Sequence, residues 1–219
     1  MAIGRPPLAF TVARVQAIEI ALEWRWAPVV ALATWLLAQN VLPARFPSWQ
    51  LQTNWLTAGA AVLAGEAALL LHELTHALLA RSHGLQVRRI VFHGFQAQTL
   101  VDDDAAPPAH EALIALAGPA TNLVLAAVAQ AIRVAASSQG PLDAFLLMLA
   151  VGNAAAALLS LLPLGASDGA RALSAARRPG RLEREVAGQR QDQHDQDEET
   201  KRRPTVIAPA AGAAIPAAE

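Results

Sequence analysis

The feature that most constrains this chain is where its charges are missing. No residue is charged between Arg25 and Arg45, between Arg45 and Glu66, between Glu111 and Arg133, or between Asp143 and Asp168. A helix needs roughly 20 mainly apolar residues to cross a bilayer, and each window is near that length. Apolar residues make up 54% of the chain, against about 45–50% in ordinary soluble domains. Alanine supplies much of that excess, so the charge-free windows carry the argument. They predict spans over about Ala27–Val41, ended by Pro43, then Trp55–Ala80, Ala112–Val134 and Ala144–Leu164. Gly118-Pro119 falls inside the third span. A proline there kinks the helix and is tolerated where neighbouring helices satisfy the freed carbonyl.

The segments between the spans read differently. Residues 17–26, AIEIALEWRW, alternate strictly, with Ile18, Ile20, Leu22, Trp24 and Trp26 on one face and Glu19, Glu23 and Arg25 on the other. That period predicts a half-buried strand, and the tryptophans suit a membrane interface better than a soluble surface. Val87, Ile90, Val91 and Phe92 favour strand, with Gly94 as a turn, so residues 87–100 predict a short hairpin. Past Arg178 the chain turns charged and polar, then rich in alanine and proline, and is expected to be disordered. The expected fold class is therefore mainly α, a multi-pass membrane protein with about four transmembrane helices and a small amphipathic β element at the cytoplasmic interface. Its parts are an N-terminal segment 1–26 carrying the interfacial strand, a membrane core 27–177, and a cytoplasmic tail 178–219.

Arginine placement gives an orientation. Arg5, Arg14 and Arg25 precede the first span; Arg81, Arg88 and Arg89 follow the second; Arg171, Arg177, Arg178 and Arg181 follow the fourth. The positive-inside rule then puts both termini in the cytoplasm, with Arg133 as the exception. A single lysine, Lys201, amid abundant arginine and alanine suggests a GC-rich bacterial genome, hence a bacterial inner membrane. No internal repeat or removable signal peptide is visible. Net charge is −1 without a basic stripe, which argues against a nucleic-acid partner. The absence of cysteine excludes disulfides and leaves any metal to His, Asp or Glu.

The string H-E-L-T-H, His72 to His76, carries the chemistry. Histidines four apart share a helix face, so both imidazoles can bind one Zn²⁺ while Glu73 flanks them as a base for a bound water. Three ionisable residues at the end of an apolar helix are expensive, which favours a site over polar groups reaching for water. A catalytic zinc needs a third protein ligand. Asp168, in P-L-G-A-S-D-G, reaches the same membrane face as His72 and His76 because the second and fourth spans run the same way. Its bland alternative is an Asp-Gly turn. Glu66 and His93 read first as a paired helix-contact residue and an interfacial histidine. A proton relay and an extra metal-site donor are the sharper alternatives. Asp102, Asp103 and Asp104 read as a solvated loop, and His194 as part of the tail.

H-E-L-T-H, then A-G-P-A-T-N, then L-L-P-L-G-A-S-D-G resembles the site-2 protease family of intramembrane zinc metalloproteases, over roughly residues 15–175. The resemblance implies one zinc per chain on His72, His76 and Asp168, with Glu73 as general base and residues 27–177 as the metalloprotease core. It makes Asn122 a candidate donor to the substrate carbonyl or oxyanion, beside the plainer role of an interhelical hydrogen bond. It implies a transmembrane protein substrate, often a membrane-bound regulator of transcription, and the lipid bilayer as surroundings. The sequence departs from the family pattern at Ser160 and Ala166, where asparagine and proline are usual, and at Phe95-Gln96, where two glycines are usual. Those departures motivate a rival, a catalytically silent membrane scaffold. A membrane zinc-handling protein is a second rival, though it is expected to spread ligands along a path rather than cluster them.

Overall fold

The computed structural model of the chain describes residues 9–94, 96–101, 107–137, 139–178, 190–191 and 193. Phe95, Asp102–Asp104, His194 and most of the tail lie outside the described residues. Among the described residues four helices are long and apolar enough to cross a membrane, beside one small four-stranded sheet. The fold class read from the sequence holds.

Strands β1 (Ala9–Val15) and β2 (Ile18–Glu23) open the chain. Helix α1 (Trp26–Leu36) continues through a π-helical turn, Leu37–Val41, into α2 (Leu42–Arg45). The first span was expected to stop at Pro43. It continues to Arg45 because the wider π turn comes just before Pro43, which then occupies the first turn of α2, where its missing N–H costs no helical bond. Helix α3 runs Leu51–Ser82, β3 Val87–Phe92, β4 Ala97–Val101, α4 Pro108–Ala136, α5 Pro141–Leu161 and α6 Asp168–Arg177. Pro119 lies inside α4 and is fully buried.

Helix α3 is polar on the inside. Asn54, Thr57, Glu66, His72, Glu73 and His76 are buried, whereas Leu56, Leu63, Leu71 and Leu78 are exposed along one face. A water-soluble helix would reverse that arrangement; a helix whose outer face meets lipid tails need not.

The sheet has the order β1-β2-β3-β4. β1–β2 and β3–β4 are antiparallel, while β2 and β3 pair in parallel, with Ile20 beside Ile90 and Leu22 beside Phe92. Ile18, Ile20, Ile90 and Phe92 are buried against Ala77 and Ala80 of α3, whose small side chains let the sheet approach closely. Glu19 bridges Arg14 on β1 and Arg89 on β3, and first Arg89, then Arg14, holds its carboxyl below the usual range.

Three features differ from the alternating strand expected over 17–26. β1 is an added strand, joined through Gln16 and Ala17, both at positive φ. Neither residue type signals a hairpin turn, and the Arg81 guanidinium donates to the Gln16 carbonyl. Trp26 opens α1 rather than extending the strand. Glu23 is buried although alternation puts it outside; Arg25 and His93 both pair with it, at 2.7 and 2.5 Å. Their hydrogen bonds, Arg25 foremost, lower the Glu23 carboxyl.

The β3–β4 turn depends on Gly94, at φ +79°, whose added Cβ would lie 3.2 Å from both γ-methyls of Val29. Gly94→Ala combines a left-handed backbone with that contact, so it should destabilise by about 1–2 kcal/mol. Thermal unfolding in detergent should show a midpoint about 2–6 °C lower.

Candidate metal centre

Two helices and one loop build the centre. On α3, His72 and His76 stand one turn apart and face α4. Asp168 comes from the start of α6, ninety-six residues after His72. The loop before it is fixed by Ser167, whose hydroxyl accepts from the Leu164 and Ala170 amides and donates to the Leu162 carbonyl. Ser167 is thus the N-cap of α6. A serine before a new helical turn is a recognised cap signal; the sequence pointed to Asp168 as a ligand, with an Asp-Gly turn as the alternative, and left the cap unremarked. Gly169 then lets the first turn of α6 press on the end of α5, since an added Cβ would collide with the Leu161 carbonyl.

The three ligand-type atoms form a tight triangle. His72 Nε2 lies 3.1 Å from His76 Nε2, and Asp168 Oδ2 lies 3.2 Å from the first and 3.3 Å from the second. His72, His76 and Asp168 form the one group of three or more such residues close enough to share an ion among the described residues. Both histidines are buried, and the Asp168 side chain is 14% exposed. Burial works against charge on Asp168, but the adjoining imidazoles outweigh it and keep the carboxyl well below its usual range.

These atoms fit a metal ion. His76 Nδ1 donates to the Ile114 carbonyl at 2.6 Å, so in the neutral ring Nε2 carries a lone pair. That lone pair faces a carboxylate oxygen, which also offers only lone pairs. One proton on His72 Nε2 cannot satisfy both, while a cation between the three atoms can. A tetrahedral Zn²⁺ with bonds of about 2.0–2.1 Å separates its ligands by about 3.3 Å, close to the triangle seen here. The Nδ1 bond to Ile114 is the kind of outer contact that orients a ligating histidine. Oxygen and nitrogen donors without sulfur are compatible with zinc.

Glu73 is buried next to His72, and its Oε2 accepts from the Thr99 hydroxyl of β4 at 2.7 Å. Thr99 was invisible to sequence reasoning, because nothing local marks one threonine of a hairpin as a partner twenty-six residues away. Gly118 is the second residue whose part was missed. It carries no side chain where α4 crosses the histidines, and an added Cβ would overlap Nε2 of both His76 and His72. Thr121, one turn on, donates to Thr75 at 2.9 Å and fastens α4 to α3.

The other candidates lie apart from the triangle. Asn122 is buried one turn beyond Gly118, and its Oδ1 has no hydrogen-bond partner among the described residues. His93 pairs with Glu23 rather than joining the cluster. Glu66 accepts from the Trp26 indole at 2.9 Å. Ser160 and Ala166 lie outside the triangle, the first bonding within α5 to the Ala157 carbonyl.

Comparisons with known proteins bear on the chain as a whole. The sequence pattern of Peptidase family M50 matches residues 60–139. Rip3 of Mycobacterium tuberculosis, named as a candidate zinc metalloprotease, is 31% identical over 170 residues, covering 76% of this chain and 43% of that protein. A Synechocystis protein so named, sll0528, is 29% identical over 148 residues, covering 68% of this chain and 38% of that protein. The chain spans about two fifths of the length of these curated relatives. The solved site-2 protease from Methanocaldococcus jannaschii superposes with a TM-score of 0.54 at 17% identity, covering 80% of this chain and 75% of that one. That likeness is one of fold.

Gly118 gives the sharpest test of the triangle. Gly118→Ala should preserve insertion and helicity but push the imidazoles apart, so the purified protein should lose most of an expected one zinc per chain. Metal analysis beside circular dichroism decides it. Full zinc in Gly118→Ala would mean the ion sits elsewhere.

Proposed function

The chain belongs to the site-2 protease family, Peptidase family M50, and on that premise we propose that it is an intramembrane zinc metalloprotease that hydrolyses peptide bonds in or near transmembrane segments of other proteins. The observation that carries the proposal is the triangle of His72, His76 and Asp168 with Glu73 beside it. Its donor set suits zinc, and its position between apolar helices suits a bilayer substrate.

His72, His76 and Asp168 would hold the ion. When bound, zinc supplies Lewis acidity to a carbonyl oxygen and lowers the pKa of a coordinated water. Glu73 acts as general base and returns the proton to the leaving amine. Thr99 holds one carboxylate oxygen of Glu73 by donating to it, which fixes the direction of the other. Asn122, on the α4 face that continues from Gly118, donates its amide to the substrate carbonyl. β4 is one of the two outer strands of the sheet, the other being β1, and is tied to Glu73 through Thr99. An unwound substrate stretch can add to that edge as a further strand, which presents its backbone beside the base.

The arginine distribution supports cytoplasmic termini and a bacterial inner membrane, with 178–219 as a cytoplasmic tail. A membrane-anchored regulator of transcription is the substrate class that family resemblance favours. Reporter fusions after Leu85 and after Arg178 should read cytoplasmic, and one after Gly140 external. An external reading after Leu85 overturns the orientation.

Two substitutions test the chemistry. Glu73→Gln should keep zinc and fold while turnover falls by about 10²-fold or more, as expected for loss of a general base. Membrane-fragment proteomics of cells carrying the parent or Glu73→Gln identifies what is cut; identical fragments from both defeat the proposal. Thr99→Val should lower kcat on the order of 10-fold through misdirection of Glu73. KM and zinc content should hold, and Thr99→Ser should restore the rate. Loss of zinc together with kcat in Thr99→Val would instead mark Thr99 as structural.

A further inference from the structure

An open groove runs between α3, α4 and α5. Its walls are small. Ala61 and Gly65 stand four apart on α3, and Gly152 and Ala156 stand four apart on α5, so each pair shares one helix face. Gly65, Gly152 and Ala156 are exposed, so the groove opens outward from the helices. Ala68 on its α3 wall is four residues before His72, and Asn122 on its α4 side is four residues after Gly118. The groove thus comes within about one helical turn, or about 5–6 Å, of the triangle.

One buried group in the groove lacks a partner. Glu66 accepts from the Trp26 indole, and the Asn153 amide donates to the Leu149 carbonyl. Asn122 is 3% exposed, and its Oδ1 has no hydrogen-bond partner among the described residues. An acceptor left so inside a bilayer is costly. A lipid tail fills a small-walled groove but brings no donor. A further transmembrane helix brings one. Helices in lipid associate where small residues let their backbones approach and where a side chain hydrogen-bonds across the contact. Two facing small pairs and one unpartnered amide oxygen supply both conditions. A helix lying here has its adjoining stretch at the metal centre, and Asn122 already belongs to the proposed substrate contacts.

We propose that this groove docks the intact helical flank of the transmembrane substrate, with small residues against both walls and a hydroxyl or amide donor for Asn122 Oδ1. The substrate class is then a transmembrane segment that carries serine, threonine or asparagine one helical turn from glycine or alanine, beside the stretch that unwinds. A flank of leucines alone is too bulky for the walls and leaves Asn122 unpaired. Naming the occupant as substrate rests on the proteolytic reading above; the preference of the groove for such a helix does not.

The chain contains no cysteine, so Gly152→Cys in the full chain in lipid nanodiscs presents a single thiol. The probe is a synthetic leucine-rich transmembrane peptide with one cysteine, made either with a Ser-x-x-x-Gly pair beside it or with leucine at both places. The peptide with the pair should form a disulfide with Gly152→Cys several-fold faster than the all-leucine peptide. Leu158→Cys, at a 65% exposed position of the same helix, should not distinguish the two. Gly65→Leu added to Gly152→Cys should abolish the preference by filling the groove from the opposite wall. An added Cβ at Gly65 or Gly152 meets nothing within 4 Å, so neither change crowds the protein. Asn122→Leu should remove the advantage of a serine peptide over its alanine counterpart. Equal rates for the two peptides at Gly152→Cys overturn the proposal. Disulfide-linked pairs of the chain itself, formed faster than the peptide adduct, make a second copy the occupant and overturn it too. A clear preference with no cleavage of either peptide by the parent keeps the helix-binding groove and defeats the proteolytic reading.

Discussion

The interaction on which the rest depends is a confrontation of lone pairs. With His76 Nδ1 committed to Ile114, the neutral ring turns an Nε2 lone pair toward Asp168 Oδ2 at 3.3 Å. Such an arrangement is relieved by a cation placed between the three atoms. Much of the local backbone serves that approach. Gly118 lets α4 cross the imidazoles, Gly169 lets α6 press on the end of α5, and Ser167 stiffens the loop that delivers Asp168. Arg171 adds a weak counter-charge, 3.8 Å from the other oxygen of Asp168. Because that contact is long and partly exposed, it leaves the carboxylate available to an ion.

The bilayer sets the second constraint, on α3. A helix that carries His72, Glu73 and His76 inward can do so in lipid because its leucines have somewhere to face. The same residues in water would expose the leucine stripe. This is why the charge-free windows were a dependable guide to the helices and hydrophobic periodicity was not. Boundaries still moved. α3 extends beyond Trp55–Ala80 at both ends, and α5 begins at Pro141 and stops at Leu161 rather than running Ala144–Leu164. Apolar composition marks what can be buried in lipid, while helix ends are set by prolines and by carbonyls that bond past the span, as at Pro141 and Leu162.

What the sequence hid has a common cause, the distance along the chain between partners. His72 to His76 is local and legible from spacing alone. β1 was missed because Gln16 and Ala17 adopt positive φ against their type, held by an arginine from the far end of α3. The parallel pairing of β2 with β3 encloses everything from α1 to α3 and leaves no pattern in either strand. Glu23 looked like a surface residue because its partners, Arg25 and His93, were not known to meet there. Thr99 and Gly118 gained meaning only when β4 and α4 were set against the H-E-L-T-H turn.

The parallel pairing also gives the sheet a part in the chemistry. β2 leads directly into α1, β3 follows α3, and β4 hangs from β3 as an outer strand. The sheet is seated on Ala77 and Ala80, one and four residues past His76. A strand added to β4 would therefore bind to a platform rigidly joined to the helix that carries the ligands. Thr99 makes that joint chemical as well as mechanical, since its side chain holds Glu73 while its backbone belongs to the ladder with β3. On the proposed reading, a strand added to β4 and the aim of Glu73 are coupled through one residue, Thr99, which belongs to the ladder and to the carboxylate's hydrogen bond at once.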